Sequence, residues 1–292
     1  MPEERLVEVA GGTAAAAPLV ELMEAEFVAG KGRSGHLPVL YPDVFAARGS
    51  ATLFGLLDGG GAPVAVLGLR RFRLRVAGST RRGAMIGFVM TRERDRGRQI
   101  GTRLMDLVAD RLRTDGTEFG VLWAKRPDLY LKLGWESADR SLLGRWTGPA
   151  AAARVVWETA PFAPALRRRL NRLRPSPEVE RRLAIYDKRP YPADRLVIGT
   201  VPGGYVLVGI ANRTGYVFEI GGRPEHAPGL LAAAAERWPD LWVNGAEGEP
   251  ISSRLAESGM VAFKTNRLAM WRSLARRFGP DDAVWIPYLD RI

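Results

Sequence analysis

Between Thr91 and Trp135 the sequence concentrates residue types that could hold an anion and move a proton. Thr91-Arg-Glu-Arg-Asp-Arg-Gly-Arg-Gln-Ile-Gly-Thr102 follows an apolar run, Ala84 to Met90. It leads into Ile100, Leu104, Leu107, Val108 and Leu112, which recur at helical three- and four-residue steps. A strand, a basic glycine-bearing turn and a helix start together make a device for holding phosphate. The N–H groups of a first helical turn have no partner inside the helix, the helix dipole favours negative charge there, and arginines add counter-charge. Glycine lets the phosphate approach the backbone. Arg96, Arg98, Gln99 and Gly101 are therefore assigned to a diphosphate, with Gly97, Ile100 and Thr102 in the same turn. Downstream, a second apolar run from Glu118 to Ala124 precedes Leu129-Tyr-Leu-Lys-Leu-Gly-Trp135, in which Tyr130 is a candidate proton donor.

The elements that must position these residues follow from the flanking pattern. Arg5 to Val9 reads as a first strand, and a helix capped by Thr13 runs through Phe27. Gly30 to Pro42 reads as a loop, with a short helix near Asp43 to Ala47. Ala51 to Leu57 and Pro63 to Val76 are strands joined at Asp58-Gly-Gly-Gly61, a hairpin signal. Arg71, Arg73 and Arg75 alternate with Phe72, Leu74 and Val76, so that strand has a basic and an apolar face. The chain turns over Ala77 to Arg82 into the Ala84–Met90 strand, whose Gly87 marks a bulge, a close backbone approach or simple relief of packing. A last strand runs to about Trp146, and Thr147 to Ala153 reads as a linker.

Composition excludes several function classes. At 292 residues the chain accommodates two domains, expected at 1–147 and 148–292. No apolar run reaches the length of a membrane span, and Met1-Pro-Glu-Glu-Arg lacks the regions of a signal peptide, so a cytoplasmic location is expected. There is no cysteine, which excludes disulfides, thiolate metal sites and a covalent acyl-cysteine route. Two histidines, His36 and His226, lie in separate halves, which argues against a histidine metal cluster. The net charge of +11 is almost all arginine amid alanine-rich stretches, with lysine only at 31, 125, 132, 188 and 264, a pattern that GC-biased coding produces by itself. It supports an anionic cofactor. Nucleic acid ranks last, because no helix–turn–helix or aromatic–basic interleaving is present.

This order of parts resembles the core of the GNAT acyltransferase superfamily. Arg96-Gly97-Arg98-Gln99-Ile100-Gly101 sits on its Arg/Gln-x-x-Gly-x-Gly/Ala diphosphate loop, with Gln99 where the first glycine is expected. Leu129-Tyr130 to Gly134-Trp135 sits on its Phe/Leu-Tyr-x-x-x-Gly-Phe segment. The resemblance implies a bulged strand that splays from its neighbour, with the pantetheine arm of acetyl-CoA or another acyl-CoA entering the gap. It gives the backbone of Phe88, Val89 and Met90 to that arm. Tyr130 then serves as general acid for the departing sulfur, since a phenol's reference pKa of about 10 is close to a thiol's. For the base, Glu24, Glu26, His36, Asp43 and the C-terminal carboxylate of Ile292 all stand as candidates, as does a water chain; Eis-type enzymes resemble the Ile292 option.

The second half repeats the grammar of the first. Pro164 to Leu173 and Pro177 to Ile185 read as arginine-rich helices. Tyr205 to Ile210, a turn at Asn212 to Gly215, and Tyr216 to Ile220 form a hairpin; His226 to Trp238 is a helix, Leu241 to Ala246 a strand, Ile251 to Glu257 a helix and Met260 to Thr265 a strand. Aligning Gly259 with Gly134 puts Leu255 opposite Tyr130, and Gly221 to Pro228 is poor in arginine. The expected fold class is thus α/β, with two tandem GNAT-like domains of mostly antiparallel sheet, the second degenerate. The arrangement is similar to the Eis (enhanced intracellular survival) bacterial acetyltransferases without their sterol-carrier-like domain. The resemblance implies transfer of an acetyl or short acyl group from CoA to a primary amine of a small molecule. Longer acyl-CoA or an acyl-carrier protein is the alternative donor, and a non-catalytic acyl-CoA sensor the alternative class. The tail with Trp285, Ile286, Tyr288 and Leu289 is expected to cross to the first domain.

Overall fold

A computed structural model describes residues 4–46, 49, 51–76, 78–151, 154–176, 178–275 and 282–292. In chain order the elements are β1 (Arg5–Ala10), α1 (Ala17–Phe27), α2 (Leu37–Leu40), α3 (Pro42–Phe45), β2 (Ala51–Leu57), β3 (Pro63–Val76), β4 (Ser79–Thr91), α4 (Ile100–Thr114), β5 (Phe119–Trp123), α5 (Asp128–Leu131) and β6 (Glu136–Ser137). There follow β7 (Ser141–Trp146), β8 (Val156–Thr159), α6 (Pro164–Leu173), β9 (Arg195–Val201), β10 (Gly204–Ala211), β11 (Thr214–Gly222), α7 (Ala227–Arg237), β12 (Asp240–Ala246), α8 (Pro250–Glu257), β13 (Val261–Thr265) and β14 (Ala269–Ser273).

The strands form two seven-stranded mixed sheets, ordered β1-β2-β3-β4-β5-β14-β6 and β13-β7-β12-β11-β10-β9-β8. The compact units divide as 1–138 with 268–283 and 292, and 139–267 with 284–291. This differs from the expected split at 147. Ser141–Trp146 pairs with β12 and β13 in the second sheet, and Ala269–Ser273 pairs with β5 in the first. The single strand expected after Trp135 is therefore two, β6 and β7, in different sheets.

In the first unit, α4 lies on one face of the sheet because Ile100, Leu104, Met105, Val108, Ala109 and Leu112 form one buried stripe. Each such buried Leu or Ile contributes about 1.5–3 kcal/mol relative to exposure. Leu107, read as part of that stripe, is 37% exposed. Leu19 and Met23 of α1 are buried in a separate apolar cluster with Leu53, Val66 and Phe88. Thr13 does not cap α1: its hydroxyl donates to the Ala10 carbonyl at 2.8 Å, and a 3-10 turn over Ala14–Ala16 precedes the helix. The loop read over 30–42 contains α2, and the expected helix at 43–47 is α3, its last residue lying outside the described ones. Ala77 of the expected turn also lies outside the described residues, as do Ala152 and Ala153 of the expected linker.

In the second unit, α7 packs its buried face, Leu230 and Leu231 with four alanines, against Val206, Val208, Val217 and Val243. The helix expected over 177–185 is not formed: residues 178–182 are non-helical, Pro177 lies outside the described residues and a 3-10 turn occupies Leu183–Asp187. Arg181 instead enters the core, where it pairs with Glu219 and Asp290 and donates to the Tyr186 hydroxyl at 3.0 Å. A helix would carry this side chain along a surface; the two buried carboxylates hold it inside. Residues 284–291 of the tail belong to this unit, with Tyr288 stacked on Phe218 at 5.0 Å, so the expected crossing to the first domain does not hold for them.

Candidate functional site

The first unit's site begins with a strand that is bulged against one neighbour and parts from the other. Against β3, Gly87 pairs with Gly68 and Met90 with Val66, so Phe88 and Val89 face Leu67 alone. That is a β-bulge, and Phe88 has φ +52° to make it. The extra residue reverses the alternation. Ile86 lies in the apolar cluster with α4, whereas the Phe88 ring turns into the cluster with α1. There it meets Phe27, Tyr41 and Phe45 edge-on at 5.2, 5.0 and 4.9 Å. On its other edge, β4 is parallel to β5 only from Gly83↔Phe119 to Met85↔Val121. Beyond that pair β4 continues to Thr91 with no register to β5, which turns to β14 as its second neighbour. Phe88, Val89 and Met90 thus lie where β4 has parted from β5, Phe88 and Val89 at the bulge and Met90 in register with Val66 of β3.

The basic loop follows at once. Gly97 and Gln99 have φ +83° and +58°, and Gln99 is the N-cap of α4 without a side-chain cap bond. Among the described residues, none of the backbone N–H groups from 97 to 102 has a backbone acceptor; the first bond back into the loop is Arg103 N–H to the Gln99 carbonyl at 3.0 Å. A Cβ on Gly97 would meet nothing within 4 Å, so that backbone faces open space. A Cβ on Gly101 would come within 2.8 Å of the Thr91 hydroxyl, so a side chain there would require Thr91 to turn aside. Gln99 is exposed. Six free N–H donors, exposed Arg96 and Arg98, and the gap beside β4 fit a diphosphate with a pantetheine arm.

Three charged residues that sequence reasoning passed over organise this loop. Asp95 exposes only 5% of its surface. It accepts from Arg92 Nε at 2.6 Å and from Arg98 Nη1 at 2.7 Å. Arg92 also reaches Asp58 at 3.1 Å, and Asp58 accepts from the N–H groups of Gly60 and Ala62 in the β2–β3 turn. The Arg92 hydrogen bond, against the opposing effect of burial, holds the Asp95 carboxyl below its usual range. The available signal was the three-residue spacing of Arg92, Asp95 and Arg98. Arg96 instead pairs with Glu26 at 3.1 Å.

Tyr130 stands on α5, half-buried, with its ring 6.4 Å from that of Trp135. It packs on the same apolar cluster as Val89 and Ile100, which brings phenol, bulge and helix head to one cluster. Burial raises its pKa above the ordinary phenol value. The base candidates separate. Asp43 is buried in a pair with Arg70 at 3.4 Å. Glu24 accepts from Leu37 N–H at 2.8 Å and meets His36 at 3.3 Å, while Glu26 holds Arg96. Ile292 is brought to the bulge: its main-chain oxygen lies 2.5 Å from where a Gly87 Cβ would stand. No group of three or more His, Asp or Glu with metal-binding geometry occurs among the described residues, and no helix there is long and apolar enough to cross a membrane.

The second unit keeps the frame and fills it. Leu207 pairs with Glu219 and Val208 with Val217, leaving Phe218 as the bulge, and the β11–β12 pairing ends at Val217↔Val243. Just beyond, the Asn244 side-chain amide donates to the Val217 carbonyl at 2.9 Å, occupying the acceptor that the separated strands would otherwise leave free. Glu219 is fully buried with Arg181 and Tyr205. Leu255 is core, and α7 opens with proline in its first turn, which removes an N–H donor.

Residues 48–138 match the family model described as an acetyltransferase (GNAT) domain. Solved structures with this fold include a conserved protein of unknown function from Enterococcus faecalis V583, 14% identical, with a TM-score of 0.70 over 94% of this chain and 73% of that one. A GCN5-related N-acetyltransferase from Anabaena variabilis gives 14% and 0.66 over 92% and 73%. Eis1 from Mycobacterium abscessus gives 14% and 0.61 over 92% and 74%. No curated protein matches the chain. The two sheets thus have the fold of tandem GNAT-like domains, and the residues matching the acetyltransferase (GNAT) model lie in the first.

Proposed function

We propose that this chain, which carries a GNAT acetyltransferase domain over residues 48–138, moves an acetyl or short acyl group from CoA to a primary amine of a small molecule by direct transfer. The observation that carries the reading is the separation of β4 from β5 immediately before a helix head with six unclaimed N–H groups. Those donors, with Arg96 and Arg98, hold the diphosphate. Backbone groups on the β5 side of β4 along Phe88, Val89 and Met90 orient the arm and polarise the thioester carbonyl. When bound, acyl-CoA supplies the activated acyl group: the amine nitrogen bonds to the carbonyl carbon and the C–S bond breaks. Tyr130 delivers its proton to the departing sulfur, the nitrogen gives up one proton to solvent, and a solvent proton restores the phenol, whose raised pKa keeps it protonated at neutral pH. Direct transfer suits a chain without cysteine.

Calorimetry with acetyl-CoA, then thiol release across a panel of amines, tests the proposal. Binding followed by amine-dependent thiol release supports it. Binding with no release from any amine would leave a CoA-binding module, and absence of binding would remove CoA from the account.

A further inference from the structure

We infer that Asp95 is a positioning residue of the CoA site: its carboxylate clamps Arg92 and Arg98 and so fixes the diphosphate loop. The inference rests on the diphosphate reading of residues 96–102 and deepens it. A carboxylate is the wrong charge for an anion site. At equal distance it repels the phosphates that the arginines attract, so its presence under the loop needs a role other than ligand contact. The geometry supplies one. Asp95 is 5% exposed, with one oxygen on Arg92 at 2.6 Å and the other on Arg98 at 2.7 Å. Arg92 in turn is fixed by Asp58, which the N–H groups of Gly60 and Ala62 hold in the β2–β3 turn. The chain of contacts therefore runs from a rigid hairpin turn to the arginine two residues before α4.

The clamp also answers the glycine missing from the loop. Gln99 occupies the left-handed region at φ +58°, a conformation that a residue with a Cβ enters at a cost. Its side chain makes no cap bond to offset this. The bond from Asp95 to Arg98 spans Arg96 and Gly97 and ends on the residue next to Gln99, so it restrains the peptides that lead into the strained position. Arg98 remains half-exposed, at 51% of its side chain, with guanidinium donors left for a ligand. Arg94, the second arginine of the run, is 3.9 Å from Asp95 and more exposed, which sets it outside the clamp.

Calorimetry with CoA on the full chain, beside steady-state kinetics, tests this. Asp95→Asn is expected to weaken CoA binding about 10- to 100-fold, the range for losing a charge-assisted hydrogen bond. KM for acyl-CoA should rise while kcat changes little, because no reacting atom is touched. In an Arg98→Ala background the same substitution should have much less effect, since it acts through that side chain. Arg92→Lys, which alters the other arm without touching the proposed diphosphate ligands, should weaken CoA in the same direction and stands in if Asp95→Asn does not fold. Equal or tighter CoA binding by Asp95→Asn, or full additivity with Arg98→Ala, would overturn the inference. Failure of the wild-type chain to bind CoA would instead remove the diphosphate reading itself.

Discussion

Gly87 of β4 has no room for a side chain because the main chain of Ile292 fills it. A Cβ there would lie 2.5 Å from the Ile292 oxygen and 2.6 Å from its carbonyl carbon. Both residues belong to the first unit, and the contact falls at the bulge that opens the strand pair. Gly87→Ala must push one of them away. Overpacking of this kind costs about 1–3 kcal/mol, so thermal unfolding should begin at lower temperature, and amine-dependent thiol release should fall with it. A variant as stable and as active as wild type would show that the contact has no role.

Replacing Tyr130 by Phe removes the proton donor and keeps the ring that packs near Trp135. Loss of a positioned acid typically lowers kcat by about 10²- to 10⁴-fold, with KM for acyl-CoA little changed. The pH dependence carries a sign. Burial lifts the phenol's pKa, and the protonated form is the active one. Activity should therefore persist through neutral and mildly alkaline pH and decline only above the ordinary phenol range. The variant's residual activity should lack that decline.

Gln99→Gly tests whether the departure from the usual loop has a cost. Glycine enters the left-handed region freely, whereas Gln99 is held there at φ +58° at a cost of about 1–2 kcal/mol. The greater freedom of glycine in the unfolded chain offsets part of that gain. Thermal stability is expected to hold or rise slightly, and CoA affinity to hold or rise. A loss of affinity on calorimetry would mean that the Gln99 side chain itself contacts the ligand.

In the second unit, Arg181→Met would remove the guanidinium that Glu219 and Asp290 share in the core. Breaking a buried pair from one side typically costs about 3–5 kcal/mol. Chemical denaturation should show a marked loss of stability, whereas replacing all three residues by apolar ones of similar volume should recover much of it. Tyr186, whose hydroxyl meets Arg181 and whose pKa is pushed up to about 12 mainly by burial, stays neutral throughout the accessible range. It gives the cluster no titration of its own near neutral pH.

What could be read from the sequence was local. The periodicity of α4, the alternation Arg71-Phe72-Arg73-Leu74 and the run from Arg96 to Thr102 all encode their own geometry, because backbone period and residue type repeat together. The strand exchange was not legible. Ser141–Trp146 and Ala269–Ser273 are ordinary short strands, and nothing within five or six residues says which sheet will accept them. The Asp95 clamp was hidden for another reason. In a stretch as basic as Arg92 to Arg98, an acidic residue reads as a solvated charge, and only the burial of Asp95 reveals two guanidinium partners. Arg181 is the same case in the second unit: the sequence reads it as one arginine of a helix, while two distant carboxylates draw it inside. Gly87 was conspicuous in its strand, but the residue that requires it lies 205 positions away.

The central claim is that N–H groups at the head of α4 hold a diphosphate, and the most direct measurement is calorimetric titration with acetyl-CoA beside S-acetylpantetheine, which has the same thioester arm but no diphosphate. The account predicts that acetyl-CoA binds far more tightly than the pantetheine thioester, and that this advantage shrinks as salt is raised because phosphate–arginine attraction is screened. Equal affinity for the two compounds, or no binding of acetyl-CoA at low salt, would contradict it.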